Sequence, residues 1–161
     1  MIRPTVPADT PVLLPLTRGT GVFKEMEIEA LREVLDDYHA SHSHGHKSIT
    51  CDKDGQVIGF AYYAPAAMTD RTWYLYWIAV SKQTQARGVG QELLRYVEDD
   101  IVRAGGRLLL IETSSLPHYQ LTRRFYVKQK YEQTAVIRDY YADGDDMVVF
   151  RKHLSKDGQQ K

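Results

Sequence analysis

The sequence predicts a mixed α/β domain, with a mostly antiparallel central sheet of six to seven strands and four flanking helices. Three observations lead there. The stretch Trp73 to Leu94, WYLYWIAVSKQTQARGVGQELL, reads as a buried strand, a polar turn, a glycine pair and a helix. Two β-rich runs flank Asp52-Lys53-Asp54-Gly55, a turn that makes a hairpin. A short, fully apolar run, Leu108 to Ile111, follows Gly105-Gly106, as a buried parallel strand follows a crossover helix.

The elements follow in order. Ile2 to Val6 alternates weakly and suits an edge strand. Asp9 or Thr10 caps a first helix with Pro11 in its first turn, and Gly19 and Gly21 end it. A second helix runs from about Lys24 to Tyr38, with Leu31, Val34, Leu35 and Tyr38 on one face and Glu25, Glu27, Glu29 and Glu33 mostly toward solvent. The hairpin strands are Ser48 to Cys51 and Gln56 to Tyr63; in the latter, Ile58, Phe60 and Tyr62 alternate with Val57, Gly59 and Ala61. Thr72 to Val80 returns as the third strand of a meander, its Tyr74 to Val80 portion apolar and aromatic like a central strand. Apolar residues at Val89, Leu93, Val97 and Ile101 give the next helix a single buried face, and Gly105-Gly106 stops it. The crossover to Leu108–Ile111 is right-handed by rule. Thr113 to Pro117 reads as a loop, Tyr119 to Lys130 as a short helix, Tyr131 to Tyr140 and Met147 to Lys152 as strands about a turn at Ala142 to Asp146, and the polar residues from Ser155 as a loose tail. The reading is one domain over residues 1–154 and a tail over 155–161.

Composition narrows the function classes. The chain has 161 residues and no formal net charge, so nothing draws it globally toward nucleic acid. Residues 1–80 carry seven Lys/Arg against ten Asp/Glu, a balance of −3, and the remainder carries +3. That split suits a polyanion on the second half and a cationic amine near the first. No apolar run reaches membrane length and no leader pattern opens the chain, so it is expected to be cytoplasmic with no membrane partner. Cys51 is the only cysteine, which excludes an internal disulfide and a cysteine cage for a metal. His39, His42, His44 and His46 lack a carboxylate or thiolate at ligand spacing, so no metal site is expected.

The glycines of Gln85-Ala86-Arg87-Gly88-Val89-Gly90 let another group approach the backbone closely. The first turn of the helix they open leaves N–H groups unpaired at the positive end of the dipole, so the stretch suits a phosphate. Such a signal is weak alone, and a plain glycine-rich helix start would look the same. No Gly-Lys-Ser/Thr follows, and the pattern is not GxGxxG. However, Gln85-x-x-Gly88-x-Gly90 after Ile78-Ala79-Val80 closely resembles the acetyl-CoA signature of the GNAT superfamily of N-acyltransferases, Gln/Arg-x-x-Gly-x-Gly/Ala. Thr122 to Tyr131 resembles that superfamily's later segment, Asn-x-x-Ala-x-x-Phe-Tyr-x-x-x-Gly-Phe. Phe125 and Tyr126 match; Tyr119, Thr122 and Lys130-Tyr131 stand where Asn, Ala and Gly-Phe are usual. The resemblance covers roughly Val22 to Leu154.

The resemblance implies transfer of an acetyl group from acetyl-CoA to a primary amine by direct attack in a ternary complex. It implies a cofactor site of Ile78, Ala79, Val80, Gln85, Ala86, Arg87, Gly88, Val89, Gly90, Gln91, Thr122 and Phe125. Only about one amine in 10³ is neutral at pH 7, so the site must accept a proton. The thioester oxygen gains charge that a backbone N–H near Ile78 or Ala79 would stabilise, and the leaving thiolate takes a proton from Tyr126, by family position the acid. The glutamate base of some superfamily members corresponds to Tyr74, which cannot serve so. Glu112, at the carboxyl end of the next strand, is the substitute, and it reads equally as a structural acceptor; a water chain is the other route.

For the acceptor, Glu25 and Glu29 lie on helices that wall the acceptor site in this superfamily, and Tyr74 joins them as a candidate contact. Arg138 to Asp146 resembles the loop of protein N-terminal acetyltransferases, including the ribosomal-protein alanine type, in which a tyrosine holds the acceptor's N-terminus; Tyr140 and Tyr141 are placed for that. A small-molecule amine fits as well. A silent acyl-CoA-binding or sensing module is the reading of another class, and retained Tyr126 argues against it. Arg123 and Arg124 make a small basic patch without a stacking platform, so no nucleic-acid partner is expected. The chain reads as a monomer or a homodimer.

Overall fold

The computed structural model describes residues 1–41, 45–84 and 87–154. The strands are β1 (Ile2–Pro4), β2 (Lys47–Lys53), β3 (Gln56–Pro65), β4 (Thr72–Val80), β5 (Leu108–Ser114), β6 (Glu132–Ala142) and β7 (Asp145–His153); the helices are α1 (Thr10–Gly19), α2 (Glu25–Ser41), α3 (Val89–Arg103) and α4 (Gln120–Lys128). The order is the expected β-α-α-β-β-β-α-β-α-β-β, with short 3₁₀ turns at Pro7–Asp9 and Pro117–Tyr119 added. The seven strands form one mixed sheet, β1-β2-β3-β4-β5-β7-β6, in which β4 and β5 run parallel. The chain folds as two compact units.

One unit comprises Met1–Pro65 and Tyr76–Val97. Asp54 and Gly55 both take positive φ, 54° and 77°, and close the β2–β3 hairpin, whose register runs from Lys47↔Tyr63 to Lys53↔Gln56. The expected alternation of β3 does not translate into one wet face: Ile58 through Ala64 are all buried. Helices cover both sides. Phe60 and Tyr62 pack with Leu13 and Leu14 of α1 and Ile28, Leu31, Leu35 and Tyr38 of α2. On the other side, a Cβ at Gly59 would stand 3.0 Å from Leu93 Cδ1 and 3.1 Å from the Ala79 carbonyl, so the missing side chain lets α3 seat closely on β3. The acidic positions of α2 lie outward as read.

Asp9 does not cap α1. Its carboxylate accepts from the Val6 N–H at 2.8 Å and from Arg3 at 2.8 and 3.0 Å, while the Thr10 hydroxyl lies 3.3 Å from His39 Nε2. Asp9 occupies the N-cap position with helical φ and ψ of −76° and −31°, but as the last residue of the Pro7–Asp9 turn its carboxylate bends back to the Val6 N–H and to Arg3 instead of reaching into α1.

The other unit comprises Ala66–Leu75 and the residues from Glu98 onward. The β4–β5 parallel ladder runs from Thr72↔Leu108 to Leu75↔Ile111. β5 pairs β7 from Leu108↔His153 to Ser114↔Met147, so Thr113 and Ser114 belong to the strand and not to the expected loop. β7 supplies the ladder that holds them, a long-range partner the local sequence does not announce. The end of α3 closes on Gly105 at φ 86°, with the Gly106 N–H bonded to the Ile101 carbonyl at 2.8 Å. β6 is the outermost strand and is exposed at every position.

Candidate active site

In the first unit, β4 leads into the loop. Its final residues, Ala79 and Val80, are buried, but Ile78 and Trp77 are only partly so and Tyr76 is 53% exposed. A strand fourth in a seven-strand order has neighbours at both edges, so exposed aromatic residues there mark a face left uncovered. The Thr84 hydroxyl and N–H both bond to the Ser81 carbonyl, at 3.1 and 2.9 Å, and the Arg87 N–H bonds to Thr84, turning the chain back toward α3.

The helix start has the geometry an anion needs. Gly88 sits at φ 79°, which side-chain-bearing residues rarely adopt, and a Cβ there would meet nothing within 4 Å. Arg87 and Gly88 are exposed. The first bond into α3 is from the Glu92 N–H to the Gly88 carbonyl at 3.1 Å, so the N–H groups of Val89, Gly90 and Gln91 belong to the first turn, which lacks intrahelical acceptors. Val89, Leu93, Val97 and Ile101 are all buried to 1% exposure or less, anchoring the helix as its periodicity predicts. Phosphates approaching this turn would meet open space at Gly88 and N–H donors without intrahelical acceptors, a set that fits a diphosphate. Gln85 and Ala86, also expected at the cofactor, lie outside the described residues, as do His42 and His44 of the histidine tract.

Tyr126, in the second unit, is buried among Phe125, Tyr131 and Phe150, with ring centroids 5.5, 6.0 and 5.6 Å away. Burial, with a smaller contribution from Tyr119, pushes its phenol well above the ordinary tyrosine range. Among the described residues nothing hydrogen-bonds its hydroxyl. Thr122 and Phe125 are half-buried on the same helix. Glu112 is exposed in β5, opposite Val149 of β7. Arg123 is not part of a basic surface: its Nη1 donates to the Ser114 and Leu116 carbonyls at 2.7 and 3.0 Å, tying the end of β5 to α4.

The acceptor candidates come from several elements. Glu25 forms a two-pronged pair with Arg18 at 2.7 and 3.1 Å on the exposed end of α2, and Arg18 holds its carboxyl below the usual range. Glu29 pairs with Arg32 at 3.6 Å. Tyr74 is half-buried in β4. Tyr140 and Tyr141 stand exposed at the end of β6 with their rings edge to face at 5.1 Å. A second aromatic group escaped the sequence reading. His46 Nδ1 lies 2.6 Å from the Tyr62 hydroxyl, and Tyr38 packs edge-on against the Tyr62 ring at 6.0 Å. The available signal was Tyr76-Trp77, two large aromatics beside the strand end that leads to the loop.

The strand, the positive-φ glycine and the anchored helix start belong to a mixed α/β fold whose seven-strand sheet has β4 and β5 parallel. The chain belongs to the acetyltransferase (GNAT) family, whose model matches residues 18–131. The structure is similar to that of a protein of Desulfovibrio desulfuricans described as an acetyltransferase of the GNAT family, with a TM-score of 0.92 and 32% identity over 96% of this chain and 99% of that one. An aminoglycoside 6'-N-acetyltransferase complexed with coenzyme A shares the fold at 17% identity and a TM-score of 0.76, covering 95% of this chain and 96% of that one. So does a ribosomal-protein-alanine N-acetyltransferase from Brucella melitensis, at 17% and 0.75, covering 96% and 99%. An uncharacterized N-acetyltransferase of Methanocaldococcus jannaschii is 28% identical over 102 residues, which span 62% of this chain and 61% of that protein's length.

Proposed function

We propose that the protein transfers the acetyl group of acetyl-CoA to the primary amine of an acceptor. The observation that carries this is Gly88: its positive φ and open surroundings at the first turn of α3, within the family match, suit a diphosphate. In this reading Arg87 and the N–H groups of Gly88 to Gln91 hold the diphosphate, with Gln85 and Ala86 completing the loop. The β4 backbone at Ile78 to Val80 lies along the acyl arm, and an N–H of Ile78 or Ala79 donates to the thioester oxygen as it gains charge. Thr122 and Phe125 line the thiol end.

The amine nitrogen attacks the carbonyl carbon, the carbon–sulfur bond breaks, and the thiolate is released. The amine must first lose one proton; Glu112, exposed and on β5, receives it directly or through water. Tyr126 serves the thiolate. Its phenol, raised above its ordinary range by burial, stays protonated before reaction, so its first contribution is a hydrogen bond donated to the sulfur as charge develops. The proton follows as CoA–SH leaves, and the nitrogen's second proton, shed as the adduct collapses to the amide, passes to the Tyr126 phenolate directly or through water and restores the phenol.

Calorimetry with acetyl-CoA tests the reading. Binding by the parent protein and its loss in Gly88→Trp, with an unchanged circular dichroism spectrum, support it. No binding by folded parent protein refutes it. Acetyl-CoA binding without turnover on any amine would mark a sensing module instead.

A further inference from the structure

We infer that the pocket walled by Asp37, Tyr38, His46, Tyr62, Tyr76 and Trp77 receives the acceptor, and that the acceptor is a singly charged arylalkylamine: a primary amine on a short arm from an aromatic ring. The inference rests on the transferase reading for the fate of the amine, while its binding stands independently.

The pocket lies wholly within the first unit. It forms where the second half of α2, the approach to β2, β3 at Tyr62 and the middle of β4 meet, and its volume is about 350 Å³. Ligand pockets run from about 300 to 1,000 Å³, so this one suits a single ring with a short chain and not an oligosaccharide. Four of its walls are phenol or indole rings. A cation over such faces gains attraction from the ring quadrupole, strongest at Trp, and a flat aromatic body stacks against the remainder.

The charge in the pocket sets the charge of its occupant. Among the described lining residues Asp37 supplies the carboxylate, and it is exposed at the rim. One ammonium can pair with it; a second or third would be desolvated against the rings without a counter-charge. The geometry therefore selects against polycations. Tyr62 is kept neutral: burial, then the nearby Tyr38, Asp37 and Tyr76, push its phenol up to about 12. The His46 contact fixes its hydroxyl at 2.6 Å, so the ring presents a set face.

The position on β4 also fits. Tyr76 and Trp77 directly precede Ile78-Ala79, the segment proposed to donate to the thioester oxygen. An amine held against Tyr76 and Trp77 is thus one to three residues along the strand from the N–H proposed to hold the carbonyl it must attack. Tyr76, more than half exposed on a central strand, is an apolar surface that solvent alone would not favour.

The test uses 2-phenylethylamine, 2-phenylethanol, spermidine and an alanine-initiated peptide, with calorimetric binding and acetyl-transfer kinetics read side by side. The expected result is phenylethylamine binding at least about tenfold tighter than the neutral alcohol, with about tenfold weaker binding in both Asp37→Asn and Tyr76→Ala. Both positions are exposed, and the acetyl-CoA affinity of the two variants is measured alongside as the control. Equal binding of amine and alcohol, or phenylethylamine binding unaffected by both substitutions, overturns the inference. Acetyl-CoA binding with efficient transfer to spermidine or the peptide but not to phenylethylamine overturns it while sparing the transferase reading. Phenylethylamine binding in a protein that does not bind acetyl-CoA keeps the pocket and refutes the transfer.

Discussion

The Tyr62 hydroxyl and His46 Nδ1 stand 2.6 Å apart, one on β3 and the other at the entry to β2. The contact makes Tyr62 the polar fixture of an otherwise aromatic wall, and burial holds it in the neutral form with a pKa of about 12.

That shift has a defined consequence at high pH. Tyr62, Tyr126 and Tyr131 all have folded-state values above the ordinary 10. For each, the neutral form is favoured in the fold, so the contribution is complete below about pH 10 and is lost as pH rises through the folded value; for Tyr62 the window is pH 10 to 12. Denaturant unfolding from pH 9 to 11.5 should show falling stability, with a smaller fall in Tyr62→Phe. Phenolate absorbance should show one fewer late-titrating tyrosine in that variant. A pH-independent stability over the range would contradict this.

Tyr126→Phe should lower kcat by about 10²- to 10⁴-fold, the span for loss of a positioned acid. The variant removes a hydroxyl that has no hydrogen-bond partner among the described residues, so packing around Phe150 and Tyr131 should persist. Acetyl-CoA affinity and thermal midpoint should stay near the parent's. A kcat within a factor of three of the parent would remove Tyr126 from the chemistry.

Glu98 is the centre of a partly buried polar group. The Tyr131 hydroxyl donates to it at 2.6 Å and the Lys152 ammonium at 3.1 and 3.3 Å, with Lys152 also 5.2 Å from the Tyr131 ring centre. Glu98→Leu should cost about 3–5 kcal/mol, because it leaves the Lys152 charge without its partner in a site where it is only 12% exposed. Glu98→Leu with Lys152→Met should recover most of that loss in urea unfolding. A double variant as unstable as the single one would show that packing, not charge, sets the cost.

Gly106→Ala should destabilise by about 1–3 kcal/mol, the range for overpacking. A Cβ at that position would overlap Ile101 Cγ2 and stand 2.7 Å from Trp73 Nε1. By contrast, Gly19→Ala places its methyl in open space at the end of α1, and its unfolding midpoint should match or exceed the parent's. Equal costs at the two sites would refute the packing argument.

The sequence by itself determined whatever depends on near neighbours. Val89, Leu93, Val97 and Ile101 repeat every four residues, so one helical face must be buried, and it is. Asp54-Gly55 and Gly88 sit where only a positive φ closes the turn or opens the helix, and all three have it. The parallel partner of β4 was legible because a fully apolar run after a crossover helix has few other places to go. Tertiary structure decided what depends on partners far along the chain. Asp9 left the α1 cap for Arg3, and Ser114 joined β5 because β7 lay alongside. The aromatic pocket is the largest such case. Asp37, His46, Tyr62 and Trp77 come from four separate segments, and the adjacent aromatics Tyr76-Trp77 were the local signal among them. They meet because α2 docks its Leu31–Leu35–Tyr38 face on β3, and that docking follows from the burial of apolar area summed over both elements, a quantity no single stretch of sequence contains.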